Sequence, residues 1–358
     1  MALCGISRID DLRAGAADAN PIGPGDPDNE SVGVIQDLLT GQGQKGLPNL
    51  LSPDYGSFGS LTGAAVKGFR TQHSLPAGNQ VDSQTLQRLL QSPATAPIAS
   101  RAYLTLALNF TYSGLAKILS VVAQMEGAGK FSALNLNTDK AGLSFGLIQW
   151  AQKPGRLAEI LKAFFAAGAA DFVRLLGAGD PNVANGLIAH TQQPTGGIDP
   201  ATGQTTDPAY DLVNHPWSGR FRAAALWVPF QQVQVQTALN DFGSSLVLIE
   251  QYAPQLNSER AVGFMVDLAN QFGHGGARSI YHAAIQEDMA IPDALQAMAN
   301  ESVQRMQDPW KAGTQVRRQH FLTTNYLSDD AFSHPALERQ PPARATAWTP
   351  PSGKIASS

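Results

Sequence analysis

Apolar side chains recur at helical spacing over most of this chain, and the exceptions divide it. Between Val32 and Leu90 the apolar positions are Val34, Ile35, Leu38 and Leu39, then Ala65, Val66 and Phe69, then Leu86, Leu89 and Leu90, a pattern that predicts three short helices around a Gly-rich turn. Further helical periods appear at Leu115 to Glu126, Leu157 to Phe165, Phe230 to Tyr252, Arg260 to Phe272 and Ser279 to Ala290. A short strand-like alternation occupies Leu143 to Leu147. Residues 1–30 are read as a flexible arm, because 11–30 are rich in Gly, Ala, Pro, Asp and Asn with no apolar period. Residues 31–92 form a small domain, and 93–100 a linker, within the stretch QSPATAPIAS that has hardly any large apolar residue. Residues 101–330 form the large domain and 331–358 a flexible tail. The insertion at 191–210, rich in Gly, Pro and Thr, is expected to be a surface flap without a core. The fold class expected is mainly α: a small three-helix domain beside an α+β domain with a small β-sheet.

Composition narrows the function classes. With 43% hydrophobic and 15% charged residues in 358, the chain can bury a sizeable core, which excludes an entirely disordered protein. A net charge of −4 argues against a general nucleic-acid binder, and no apolar run is long enough to span a bilayer. A single cysteine, Cys4, permits no internal disulfide, and Met1 to Ile6 has neither the charged start nor the apolar core of a signal peptide. The expectation is a monomer made in the cytoplasm that reaches its target by lysis or secretion. The seven histidines show no metal-ligand spacing, so no metal and no cofactor is expected. No GxSxG elbow or Walker loop appears, which removes the main support for an amidase or peptidase.

In the small domain, Gln36 to Leu39, Gly56 to Thr62, Ala65 to Phe69 and Val81 to Leu89 reproduce a spaced pattern: Gln-x-x-Leu, Gly-x-Phe-Gly-x-x-Thr, Ala-Val-x-x-Phe, then Val-Asp-x-x-Thr-x-x-x-Leu. Thr62 and then Asp82 or Ser83 are placed to cap helices. The pattern resembles the peptidoglycan-binding type 1 module, with Arg70 where that family usually has Gln. The resemblance implies binding of cell-wall peptide or glycan beside the Gly-x-Phe-Gly turn, with Asp54, Tyr55, Ser57 and Gln72 as candidates. Phe58, Val66, Phe69 and Leu89 are expected to be core.

In the large domain, Leu115, Ile118, Leu119 and Val122 share one helical face, and the same spacing reaches Glu126 just before Gly127. A carboxyl there meets partial burial and the negative end of the helix dipole. Both disfavour its charge, and a protonated carboxyl can donate to a departing glycosidic oxygen. Glu126 is therefore the candidate general acid. After it comes a polar turn, Asn137 to Gly142, and then Ser144-Phe145-Gly146-Leu147-Ile148-Gln149. Here the chain resembles the lysozyme-like superfamily, most of all lytic transglycosylases and goose-type lysozymes. The Asp-x-x-Gly run at Asp139 is also similar to phage lysozymes and chitosanases. The resemblance implies that Glu126 protonates the glycosidic oxygen, that Asp139 is a second carboxylate, and that Ser144 and Gln149 line the cleft. Ordinary turn chemistry explains Asp139 equally well.

Ser258 is placed to cap a later helix whose buried positions are Val262, Met265, Leu268, Ala269 and Phe272. Asn270, Gln271 and His274 fall outside that spacing, and Asn270 and His274 enter the list of substrate-contacting candidates. Arg317 and Arg318, near Trp310 and Tyr326, resemble the basic and aromatic closing segment of related hydrolases, although a solvated helix face explains them as well. The resulting expectation is a glycosidase, muramidase or lytic transglycosylase, cleaving the bond between N-acetylmuramic acid and N-acetylglucosamine and anchored to peptidoglycan, as in modular phage endolysins or a secreted wall-degrading effector. A non-enzymatic wall-binding protein and a chitosanase-like hydrolase are the alternatives.

Overall fold

The computed structural model describes residues 6–49, 52, 54–90, 113–324 and 326–330. Helix dominates among them, and a small three-stranded antiparallel sheet accompanies it. No helix among the described residues is long and apolar enough to cross a membrane. Cys4, the expected linker at 93–100 and the tail at 331–358 lie outside the described residues.

Two compact units divide the chain, along other boundaries than the expected 31–92 and 101–330. The first has its described residues within Met1–Phe131 and Ala238–Arg339, the second within Ser132–Thr237.

The first unit begins with α1 (Ser7–Ala14), α2 (Asn29–Gly41), α3 (Ser60–Gln72) and α4 (Ser83–Leu89). Of the flexible arm expected over 1–30, the described residues 6–30 are packed instead. Ile9, Leu12 and Ile22 are fully buried, Ile22 and Val81 exchange backbone hydrogen bonds of 3.0 and 2.8 Å, and Arg8 pairs with Asp26 at 2.7 Å. Apolar residues this sparse show no period, yet each finds a place against α4 and the strand-like segment at Val81.

Polar side chains fix the middle of this region. Gln36 is completely buried and fully used. Its Nε2 donates to Ser57 O at 3.0 Å and to Thr62 Oγ1 at 3.1 Å, and its Oε1 accepts from Gly56 N at 2.9 Å. Gly56 has φ +82°, and a Cβ there would lie 2.8 Å from Asn29 O, so the turn requires glycine. Thr62 is not a cap. It sits inside α3, whose N-cap is Gly59, and its hydroxyl serves Gln36 instead. Asp82 does cap α4, accepting from Thr85 N at 2.8 Å.

Arg70, the departure from the family pattern, is buried and donates to Pro76 O at 2.6 Å, Gln80 O at 2.9 Å, Asp82 at 3.0 Å and Thr85 Oγ1 at 2.6 Å. One guanidinium thus ties the 76–82 loop to the α4 cap. Arg70→Met leaves those acceptors without their donor and is expected to lower the unfolding free energy by about 2–3 kcal/mol, read by urea denaturation of the full chain.

The rest of the first unit is α5 (Ser113–Gly127), the second half of the long helix Val228–Tyr252, α11 (Glu259–Ala284), α12 (Ile291–Arg305) and α13 (Lys311–Thr323). Ser258 caps α11 as expected, accepting from Ala261 N at 3.1 Å. The helical periods at 260–272 and 279–290 fuse into this one element. Gly273, with φ 70° and ψ 168°, kinks it without ending it, and α11 stops at Ala284. Helix α5 packs on α11, and α11, α12 and α13 pack on one another.

The second unit holds β1 (Leu134–Leu136), β2 (Leu143–Phe145) and β3 (Trp150–Ala151) in the order β1-β2-β3, with Leu136 opposite Leu143 and Phe145 opposite Trp150. It continues with α6 (Arg156–Ala167), α7 (Ala169–Leu175), α8 (Pro181–Thr191), α9 (Trp217–Ala225) and the first half of α10 (Val228–Tyr252). Its core is aromatic: Phe164 stacks on Phe230 at 4.0 Å, and Phe145 lies 5.1 Å from Phe221. Trp150 and Trp217 are buried there.

The segment 191–210 is also different from the expected flap. Gly196, Gly197 and Ile198 are buried, and Ile198 bridges to Thr205. Gln152 donates to Gly196 O at 2.9 Å, and the ring of His190 lies so close to Gly197 that a Cβ there would sit 2.2 Å from it. His190 is buried, stacks on Tyr210 at 5.3 Å, and its Nδ1 has no hydrogen-bond partner. Burial holds its pKa below the ordinary 6.5, with the Asp207 carboxylate opposing the shift only in part. The unfolded chain therefore takes up this proton first as pH falls. Stability is full above about 6.5 and is lost as the pH drops toward the folded value. The melting temperature followed by tryptophan fluorescence is expected to fall between pH 7.5 and 5, and less steeply in His190→Gln.

Candidate active site

Glu126 occupies the last turn of α5. The helix closes through Ala128 at φ 52° and Gly129 at φ 64°, whose N–H returns to Ala123 O at 2.9 Å. The Glu126 side chain is 16% exposed, as the apolar stripe of α5 predicts. Its surroundings are not apolar, however. Arg317 Nη2 lies 2.5 Å from Glu126 Oε1, and Asn270 Nδ2 donates to the same oxygen at 2.9 Å. The carboxyl therefore meets a guanidinium and an amide where the sequence suggested apolar neighbours.

Behind this pair lies an ionic core. Asp267, fully buried on α11, accepts from Arg317 Nε at 3.0 and 2.9 Å and from Arg317 Nη2 at 2.5 Å, and it also accepts from Arg318 Nη1. Arg318 donates further to Gln271 Oε1 and, at 3.0 Å, to Ser302 Oγ on α12. Its guanidinium lies 5.6 Å from the centre of the Phe264 ring and 5.8 Å from that of Phe272. Gln271 Nε2 reaches Thr314 Oγ1 at 3.3 Å. Two guanidiniums thus face two carboxylates with nearly every polar atom engaged, the condition under which a buried ionic cluster is tolerated.

Burial penalises the Asp267 charge, but the two guanidiniums outweigh it and hold its carboxyl below the usual value. For Arg317 the two carboxylates overcome burial and raise its pKa. For Arg318 burial prevails and lowers it.

The sequence candidates distribute unevenly over this arrangement. Glu126 and Asn270 are brought together. His274 follows the Gly273 kink on the exposed side of α11. Asp139, Ser144 and Gln149 belong to the second unit. Asp139 is exposed and accepts from Ala141 N at 3.1 Å, the turn chemistry weighed against a catalytic role. Ser144 is buried in β2, opposite Asn135 and Ala151. Gln149, at φ 53°, donates to Gly146 O at 2.9 Å and Ala133 O at 3.3 Å, so its amide closes the β2-β3 hairpin.

Of the four candidates for wall binding, Asp54, Ser57 and Gln72 are exposed. Tyr55 is not. It packs on Gly33, donates to Asp37 Oδ2 at 2.8 Å and meets Tyr326 edge-on at 6.1 Å. Burial and the neighbouring Asp37 push its phenol well above the ordinary value.

Sequence reasoning missed Asp267, and it weighed Arg317 and Arg318 between a closing segment resembling that of related hydrolases and a solvated helix face. The available signal was a lone acid inside the apolar run Val262 to Ala269, one turn before Asn270 and Gln271. Neither a protein-family model nor a curated protein sequence matches the chain.

Proposed function

We propose that this protein is a peptidoglycan-degrading glycosidase, with Glu126 as general acid and the module around Gln36 and Arg70 as its wall anchor. The observation that carries the reading is the one-sided grip on Glu126. Arg317 and Asn270 both contact Oε1, and Oε2 is the oxygen from which a proton would pass to the glycosidic oxygen. A protonated carboxyl still accepts both hydrogen bonds at Oε1. As the proton passes to the glycosidic oxygen, negative charge grows on the carboxyl and the Arg317 contact strengthens, so the interaction favours the transition state over the ground state. Asp267 and Arg318 fix the guanidinium that does this.

The order of elements, an acid-bearing helix followed by a small antiparallel sheet and further helices, supports a lysozyme-like reading of the catalytic region. The wholly satisfied Gln36 and the glycine-dependent turn at Gly56 support the peptidoglycan-binding reading of the small module. An anchor of this kind raises the local concentration of enzyme at the polymer.

The test is mass analysis of fragments released from purified cell wall by the intact protein. Anhydro ends identify a transglycosylase and reducing ends a hydrolase. Release of no fragment by wild type rejects the glycosidase and leaves a wall-binding protein.

A further inference from the structure

A cavity of about 520 Å³ lies in the first unit between the C-terminal end of α10, the C-terminal turn of α11 and the start of α12. It shares no lining residue with the Glu126 cluster. Tyr252, Tyr281 and His282 form its aromatic wall: Tyr252 and Tyr281 meet edge-on at 5.4 Å, and Tyr281 and His282 at 5.3 Å. Gln255 donates to the Tyr281 hydroxyl, and Gln286 and Glu287 stand exposed at the rim. Its volume lies within the range of about 300–1,000 Å³ usual for small-molecule sites.

Aromatic faces beside amide and carboxylate groups suit a ligand with apolar C–H faces and hydroxyls around its edge, which describes a pyranose. Glu287 and Asp288 stand at the rim, while the Arg278 guanidinium lies 6.0 Å from the Tyr252 ring centre and donates to His282 Nε2 at 3.4 Å, so both signs of charge border the cavity. Burial raises the Tyr252 phenol to about 12, so it remains a hydrogen-bond donor at working pH.

We propose that this cavity is a second saccharide-binding site, taking a β-1,4-linked glucosamine-type oligomer away from the cleavage centre. It rests on the glycosidase reading for the identity of the polymer alone. Such a site holds the chain to a glycan strand between cuts.

The probes are the β-1,4-linked tetrasaccharides of N-acetylglucosamine and of glucosamine, titrated calorimetrically into full-length Glu126→Gln. Adding Tyr252→Ala is expected to remove one equivalent of binding or weaken it at least tenfold. Because Tyr252 is half-buried, His282→Ala, at an exposed position, is the second variant, with a several-fold loss expected. Preference for one probe tells whether the N-acetyl group or a free amine is recognised, and a loss in the variants with either sugar supports the site. Isotherms unchanged in both folded variants, or no binding of either sugar by the parent, overturn it. Binding lost in the variants while wild type releases no wall fragments keeps the site and rejects the glycosidase, so the two readings fail separately.

Discussion

Glu126→Gln is expected to reduce kcat on cell wall by two to four orders of magnitude, the usual contribution of a positioned general acid, with little change in KM or melting temperature. The substitution keeps the size of the side chain. The amide oxygen can still accept from Arg317 and Asn270 in place of Oε1, so the packing of α5 on α11 survives. What disappears is the transferable proton and the charge that Arg317 stabilises as that proton leaves. Turbidity clearing and muropeptide release, measured with the variant's melting curve, separate a catalytic loss from a folding one. Equal clearing by variant and wild type removes Glu126 from the chemistry.

The largest effect on stability is expected at Asp267. Asp267→Ala leaves Arg317 and Arg318 facing each other in a buried site with Glu126 as the remaining carboxylate, and removing one partner of a buried ionic cluster costs about 3–5 kcal/mol. Asp267→Asn keeps the shape but not the charge, so it too should be strongly destabilised. The same group gives the fold an acid limit. Its carboxyl is held below the usual 3.8, so its contribution is present above that value and is lost as pH falls through the folded-state value. Denaturant unfolding of wild type and Asp267→Asn between pH 3 and 7 checks both points. Equal stability of the two proteins at pH 7 contradicts the assigned role.

Arg318→Met offers a contrast. Arg318 serves Asp267, Gln271 and Ser302, whereas Arg317 alone bridges Asp267 to Glu126. The cluster therefore joins structure and proposed chemistry through a single guanidinium.

The amphipathic periods at 115–126, 157–165 and 230–252 appear as helices because their apolar stripes need no long-range information. The alternation at 143–147 yields β2 for the same reason, and the Asp82 and Ser258 caps are local hydrogen bonds within three residues. Short helices such as α7, α8 and α9 escaped, since a stretch of this length owes its helicity to packing more than to propensity. The N-terminal segment escaped likewise, because Ile9, Leu12 and Ile22 have no period of their own and pack against residues some sixty to eighty positions away.

By itself the sequence determined where Glu126 stands: on the buried face of a helix, at its last turn, where a glycine follows. Only the tertiary structure decided what that carboxyl meets. Arg317 is 191 positions from it and Asn270 144, and no local pattern encodes contacts at that separation. Three helices had to converge before one acid, buried for its apolar neighbours, could be surrounded by charges that in sequence look like ordinary surface.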